Sequence, residues 1–123
     1  SSQTKYYSEA NTYDVVAHFD DISGLKRKAP VRVAGVSIGS VSKIELDGTE
    51  FSAIVSMRLS NRVRKIPVDS IFSVYTEGLL GSKYIAIAPG FSDAYLKENS
   101  VVERTHSAVV LEQLIGKMVF GSK

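Results

Sequence analysis

The sequence predicts a mainly-β domain of seven short strands, followed by one C-terminal amphipathic α-helix. Two observations carry this prediction. Over most of the chain, apolar and polar residues alternate in short segments separated by glycine-containing turns, which is typical of half-buried strands. After Ser107 the alternation stops, and apolar residues recur at the three- and four-residue spacing of a helix. Short strands with frequent glycine turns favour a small barrel or sandwich.

Seven segments carry the strand pattern. In chain order they are 13–19, 30–34, 41–46, 51–59, 71–76, 83–88 and 100–104. In the first and fourth segments, alternate positions form a continuous apolar face on one side of the strand. Those faces comprise Tyr13, Val15, Ala17 and Phe19, and then Phe51, Ala53, Val55, Met57 and Leu59.

Glycine-containing turns separate these segments. Asp47-Gly48 is typical of a tight turn between two strands, and the residues 20–24 indicate a turn after the first strand. The stretch from Gly35 to Gly39 interrupts the alternation before the third segment. We interpret its two glycines as turn geometry, because no helix follows them as a phosphate-binding loop requires.

The predicted helix extends from Ser107 to Phe120. Ser107 suits the N-cap position, and Gly121 suits the residue that ends a helix. Apolar side chains cover about half of the helical circumference at this spacing. They are Val110, Leu111, Leu114, Ile115, Met118 and Val119, and the other side carries Glu112, Gln113, Gly116 and Lys117.

Composition limits the function classes. The chain has 123 residues, of which 44% are hydrophobic and 23% charged, as expected for one folded domain. A net charge of +2 is too balanced to indicate nucleic-acid binding. The short basic clusters 26–28 and 62–65 lie beside turn signals, so we interpret them as solvated loops, although attraction to anionic headgroups is an alternative for 26–28.

Other features bear on disulfides, membrane spans and missing segments. The absence of cysteine excludes disulfides and cysteine-rich zinc sites, and no run of apolar residues is long enough to span a bilayer. Residues 1–12 are polar and aperiodic, which indicates a linker. The chain begins with Ser1 and without a signal peptide, so we expect its natural N-terminus to lie upstream.

The sequence offers no catalytic constellation, so we predict that the protein is not an enzyme and holds no metal or cofactor. His18 and His106 are far apart in the sequence and fit no metal-ligand spacing. Asp20 and Asp21 are adjacent on a turn, where capping or solvation is the ordinary role of a carboxylate. No glycine-rich loop with a following lysine precedes a helix.

The most informative turn is Gly78-Leu79-Leu80-Gly81, between the fifth and sixth segments. Turn tips normally face water and carry polar residues, whereas this one carries two leucines between its glycines. Such a tip needs an apolar partner. The partner could be the domain's own core, a second subunit, a membrane or an apolar cargo, and the residues alone leave all four open.

Three stretches resemble a mammalian cell entry (MCE) domain. Within that family they are most similar to the substrate-binding subunit of transporters that maintain lipid asymmetry in Gram-negative bacteria. The stretches are FDDISGLK with PVRVAGVSIG (19–26 and 30–39), TEGLLGSKYI (76–85), and SAVVLEQLIG with FGSK (107–116 and 120–123). The resemblance covers about residues 13–123.

The resemblance implies a seven-stranded β-barrel that assembles as a homohexameric ring around a hydrophobic pore. It divides the chain into a linker from a membrane anchor at 1–12, the barrel at 13–104 and a pore helix at 105–123. Leu79 and Leu80 would constrict the pore, and Gly78 and Gly81 would let the loop bend towards the axis. The residues of the helix implied to line the tunnel are Leu111, Leu114, Ile115 and Met118.

The resemblance also implies the partners and the location. The protein would carry phospholipid, anchored in the inner membrane by a single span, with this domain in the periplasm. It would act with an ABC permease, an ATPase and a soluble periplasmic lipid carrier. Two alternatives stay open: an interaction module without cargo, whose tip and helix only join subunits, and an MCE protein that carries a different lipid.

Overall fold

In a computed structural model that describes residues 11–108, the chain forms one curled eight-stranded sheet, a half-barrel. The mainly-β prediction is confirmed. The strands are β1 (Thr12–Phe19), β2 (Pro30–Val33), β3 (Val36–Asp47), β4 (Ser52–Ser60), β5 (Ile71–Thr76), β6 (Lys83–Ala88), β7 (Ser100–Val101) and β8 (Arg104–His106). Most of the predicted helix lies outside the described residues.

The strands lie in the order β7-β1-β4-β3-β2-β6-β5-β8. Chain neighbours pair antiparallel in β2–β3, β3–β4 and β5–β6, and β1 also pairs antiparallel with β4. The pairs β2–β6, β1–β7 and β5–β8 are parallel, so the sheet is mixed. The parallel pair β2–β6 joins the two halves of the sheet and brings the β2 side chains beside the leucine turn.

The concave side of the sheet holds the core, and β1 shows how the sequence produces it. Tyr13, Val15, Ala17 and Phe19 are at most 2% exposed, so the alternating face predicted for this strand is confirmed. On β4, Val55, Met57 and Leu59 are fully buried. Phe72, Val74, Ile85 and Ile87 contribute the facing positions of β5 and β6.

Phe51 does not belong to the β4 face as predicted. It lies in the turn before Ser52, with a positive φ of 57° and 72% exposure. Asp47 shapes this turn, because its carboxylate accepts hydrogen bonds from the N–H groups of Thr49 at 2.9 Å and Glu50 at 3.2 Å. These hydrogen bonds lower the pKa of Asp47. The turn signal of Asp47-Gly48 is therefore confirmed, but the strand begins after Phe51.

The third strand begins earlier than the glycine pattern indicates. β3 starts at Val36 and continues through Gly39, so the predicted interruption is not a break in the strand. A Cβ atom on residue 39 would overlap the carbonyl oxygen of Arg58 on β4. Gly39 is therefore needed for close approach of two backbones, and the irregular register falls on either side of it, at Val31/Arg32 and Val41/Lys43.

The predicted last strand, 100–104, forms two strands in the structure. The sheet within residues 11–108 therefore has eight strands rather than the predicted seven. β7 pairs with β1, and β8 pairs with β5 at the other end of the strand order. Between them, the N–H of buried Val102 donates to the carbonyl of Val16 at 2.7 Å. Thr105 Oγ1 donates to the carbonyl oxygen of His18 at 2.8 Å. A single short segment thus supplies both edge strands of the curled sheet.

One carboxylate organises the loop that follows β6. Asp69 accepts hydrogen bonds from the N–H groups of Phe91 and Ser92, both at 3.0 Å. The N–H of Gly90 donates to Ser70 Oγ at 3.0 Å. The two bonds to Asp69 lower the pKa of its carboxyl group. Phe91 itself is 96% exposed, so the loop is held by its backbone and not by its aromatic side chain.

We expect Asp69→Asn to lower the melting temperature at pH 7, because the amide can replace only part of the acceptor pair. A depressed folded-state pKa stabilises the fold above the unfolded value of about 3.9, and this stabilisation is lost as pH falls through the folded pKa. The difference from wild type should therefore shrink below about pH 4. Asp93→Asn makes the same charge change on the same loop and is the control. Equal melting curves for both variants at every pH would contradict this role.

Candidate functional site

The leucine tip, residues 77–82, is a tight hairpin turn that joins β5 to β6. The N–H of Glu77 donates to the carbonyl of Ser82 at 2.9 Å, and the N–H of Gly81 donates to the carbonyl of Glu77 at 3.0 Å. These bonds close the turn with backbone groups alone. The two leucine side chains are therefore not needed to hold the turn together.

Leu79 and Leu80 are 81% and 88% exposed. The leucines of the core are at most 5% exposed, so the tip differs from every leucine that packs inside the sheet. The possibility that the tip folds onto its own domain is wrong for this structure. Of the four partners that the sequence left open, a second subunit, a membrane and an apolar cargo remain.

Both glycines of the tip meet a specific backbone requirement. Gly78 has a positive φ of 65°, a conformation that side chains with a Cβ rarely adopt. At Gly81, an added Cβ would overlap the carbonyl oxygen of Glu77. The turn that projects the leucines therefore depends on glycine at both ends, as the sequence pattern indicated.

Side chains from a neighbouring strand support the base of the tip. Arg32 on β2 forms an ion pair with Glu77 at 2.6 Å, and its guanidinium lies 4.3 Å from the ring centre of Tyr84. The hydrogen bond to Glu77 is the main reason that the pKa of Arg32 is raised. Lys83 Nζ donates to Thr76 Oγ1 at 2.6 Å across the last residue pair of the hairpin. These contacts fix the direction in which the tip leaves the sheet.

A cleft of about 620 Å³ opens beside the tip. One wall is the tip itself with the start of β6, and the other wall is the loop that precedes β2. The lining residues are Ser23, Gly24, Lys26, Arg27, Lys28, Ala29, Pro30, Leu80, Gly81, Ser82 and Lys83. The basic cluster 26–28 is exposed, as predicted, but its position against Leu80 is not visible in the sequence.

Four of the predicted site residues lie together at the tip. They are Gly78, Leu79, Leu80 and Gly81. The other four, Leu111, Leu114, Ile115 and Met118, lie outside the described residues. The described chain does lead towards the tip: β8 runs parallel to β5, whose last residue directly precedes the tip. Ala108 is held against the loop that follows β1 by a hydrogen bond from its N–H to the carbonyl of Asp21 at 2.9 Å.

The remaining polar residues have structural contacts. The Asp21 carboxylate accepts hydrogen bonds from the N–H of Ser23 at 2.9 Å and from its hydroxyl at 2.7 Å, which confirms the capping role. His18 Nδ1 lies 3.4 Å from Ser52 Oγ, and His106 is exposed at the end of β8. Within residues 11–108, no three His, Asp or Glu side chains are placed to hold a metal ion.

Comparison with known proteins identifies relatives of the whole domain. The family described as MlaD protein matches residues 11–90. The intermembrane phospholipid transport system binding protein MlaD of Haemophilus influenzae is 45% identical over 120 residues, which are 95% of this chain and 72% of the relative. The protein of the same name from Escherichia coli is 42% identical over 117 residues, which are 91% of this chain and 64% of the relative.

A solved structure agrees with these sequence matches. A chain of the Acinetobacter MlaFEDB complex in its ATP-bound Vtrans1 conformation superimposes with a TM-score of 0.81 at 27% identity, over 87% of this chain and 81% of that chain. The fold and the sequence therefore point to the same relatives, and the family match extends over well more than half of the chain. The chain belongs to the MlaD family.

Proposed function

We propose that this chain is the lipid-binding subunit of an ABC-type phospholipid transport system. It passes phospholipid between an inner-membrane permease and a soluble periplasmic carrier, and so maintains the lipid asymmetry of the outer membrane. The observation that carries the proposal is the pair of leucines, more than four-fifths exposed, at the end of a turn held by backbone bonds. Membership of the MlaD family supports it, since the relatives are named as binding proteins of intermembrane phospholipid transport.

The physical argument concerns what an exposed apolar tip can do. A tip that meets only water carries an unfavourable free energy, whereas each lipid methylene that leaves water for apolar contact contributes about 0.8 kcal/mol. Leucine side chains carry no charge and offer no hydrogen bond, so they can contact a moving acyl chain without holding it at one position. These properties suit a conduit better than a catalytic site.

The conduit requires several copies of the chain. We propose a homohexameric ring in which Leu79 and Leu80 of each copy surround one axis and form the narrowest apolar constriction. The segment after residue 108 would continue the tunnel with Leu111, Leu114, Ile115 and Met118. The direction of β8 supports this arrangement, because it delivers the chain to the end of the sheet that carries the tip.

The energy for transport would come from partner subunits. The structurally similar chain belongs to an ATP-bound complex, and this sequence has no phosphate-binding loop of the Walker type. The chain therefore acts as a binding subunit beside an ABC permease and an ATPase. We place the domain in the periplasm, tethered to the inner membrane by a segment upstream of the linker 1–12. Within residues 11–108, the structure contains no helix long and apolar enough to cross a membrane.

Native mass spectrometry of the full-length protein tests the proposal. We expect a six-subunit mass that carries phospholipid, because the exposed tips need an apolar partner and the cargo supplies one. Extraction and lipid mass spectrometry on the same sample would identify the bound species. A ring without lipid would favour the interaction module without cargo, and a bound lipid that is not a phospholipid would indicate a different cargo. A monomer alone at micromolar concentration would contradict the ring.

A further inference from the structure

Four cationic side chains lie around the cleft beside the leucine tip. Lys26, Arg27 and Lys28 line one wall, and Lys83 lies on the other wall with Leu80. No acidic residue is among the eleven residues that line the cleft. Lys83 donates to the hydroxyl of Thr76, which fixes its ammonium group without neutralising it. The cleft therefore places uncompensated positive charge directly against an apolar surface.

The loop that carries three of these cations is fixed to the sheet. Leu25 and Ala29, on either side of the basic cluster, are 5% and 9% exposed, so both are anchored in the core. The N–H of Lys28 donates to the carbonyl of Val41 at 2.8 Å, and the N–H of Val41 donates to the carbonyl of Ala29 at 2.9 Å. Lys28 also has a positive φ of 73°. The anchored backbone keeps the three charged side chains together, pointing away from the core.

In the part of the chain that the structure describes, the three charges of this loop differ from three other cations, which have carboxylate partners. Arg32, Lys43 and Arg58 each form an ion pair with an acidic residue. Within the described residues, Lys26, Arg27 and Lys28 form none. Adjacent like charges repel each other, and a bound anion relieves that repulsion. Phosphate is the anion that clusters of Lys and Arg bind well, by charge-assisted hydrogen bonds.

We propose that this cleft binds the phosphate of a lipid headgroup while the acyl chains of the same lipid contact Leu79 and Leu80. The inference rests on the proposed function and adds a recognition element to it. A molecule that combines phosphate with apolar chains is the ligand class that satisfies both surfaces at once. The volume of about 620 Å³ lies within the usual range of ligand sites, roughly 300–1,000 Å³.

The consequence is selectivity for lipids that carry phosphate. A conduit made only of leucines would accept any acyl chain, including that of diacylglycerol, which has the same tails without phosphate. With the basic cleft beside the tip, phospholipid gains charge-assisted contacts that diacylglycerol lacks. The cations are exposed, so we expect each to contribute modestly and the contribution to weaken as salt concentration rises.

The test uses the full-length protein in its assembled form and two competing lipids, phosphatidylglycerol and diacylglycerol with identical chains. The variant replaces Lys26, Arg27 and Lys28 with glutamine. The amounts of each lipid bound per subunit are measured by mass spectrometry after equilibration in a nonionic detergent. Wild type should prefer phosphatidylglycerol by about tenfold, and the variant should lose most of that preference while binding diacylglycerol as wild type does.

A matched control removes the same charge elsewhere. It replaces Arg62, Lys65 and Lys97 with glutamine, on the loops 61–65 and 89–99. The second loop follows β6 at the end away from the tip, and the N–H of Leu96 joins it to the carbonyl of Ile66 at 2.8 Å. If the control loses the preference as fully as the cleft variant, net charge explains it and the cleft assignment is wrong.

The outcomes separate the inference from the proposed function. If wild type binds neither lipid, the conduit and this inference both fail. If wild type binds both lipids and the cleft variant keeps its preference, only this inference fails. Glycerol 3-phosphate alone distinguishes the sources of phosphate: we expect it to bind far more weakly than phosphatidylglycerol. Equally tight binding of this soluble compound would mean that the cleft serves a free phosphate ligand and would overturn the lipid assignment.

Discussion

The double substitution Leu79→Asn and Leu80→Asn is expected to abolish phospholipid passage while the domain and the proposed ring stay intact. Both side chains are more than four-fifths exposed, so their replacement removes no contact from the core. Asparagine has as many side-chain heavy atoms as leucine and the same branching, but its amide would bring bound water into the proposed constriction. A lipid chain would then lose about 0.8 kcal/mol for each methylene that no longer reaches an apolar partner. Detergent sensitivity of cells that depend on the variant measures the loss.

The control for this prediction is Leu79→Met with Leu80→Met, which keeps the tip apolar. Methionine should support near-normal barrier function, because it is unbranched and adapts to irregular apolar contacts. Both variants must be matched for expression and for oligomeric mass. If the asparagine variant keeps full barrier function, the constriction is not formed by the tip, and the interaction module without cargo becomes the better explanation.

The largest effect on stability is expected from Phe72→Ala. Phe72 is completely buried in β5, where its backbone pairs with Ile87 on one side and Thr105 on the other. Removal of a buried phenylalanine ring typically lowers the free energy of unfolding by about 3–5 kcal/mol, because contacts are lost and a cavity remains. Urea unfolding monitored by circular dichroism measures the change.

Phe91→Ala is the matched control, since it deletes the same ring at a position that is 96% exposed. Its free energy of unfolding should stay within about 0.5 kcal/mol of wild type. Comparable losses for the two variants would mean that the core does not lie where the structure places it. The pair also tests whether β5, which leads into the tip, depends on buried packing for its position.

The strands that the sequence predicted well are those with one solvent-exposed face and one buried face. In β1, alternation alone identified all four core residues, because a half-buried strand repeats every two residues. The prediction that Gly39 interrupts the strand pattern was wrong, because a glycine can mark either a turn or a close approach of two backbones. Only the position of Arg58 on the paired strand decides between them. The division of 100–104 was missed for a similar reason, since the change of pairing partner leaves no mark on the local pattern.

The candidate site likewise has one part that the sequence predicts and one part that it does not. The leucine tip could be found from sequence because its anomaly is local: two apolar residues between two glycines. The basic cleft could not be found from the sequence, because Lys26–Lys28 and Leu80 are more than fifty residues apart in the chain. They meet because β2 and β6 pair in parallel, which places the start of both strands at one end of the sheet. Arg32 was overlooked as a support of the tip for the same reason.

The segment that carries β7 and β8 has a consequence for folding kinetics. It contacts β1 and β5, the strands next to the two edges, yet it comes after every other strand in the chain. During synthesis, β1 and β5 therefore each have one side of unpaired backbone groups until residue 106 has emerged. Pairings of such long sequence separation form slowly, and open strand edges invite pairing between chains. The domain is thus most exposed to pairing between chains while it is nascent, before the seven residues 100–106 pair with β1 and β5.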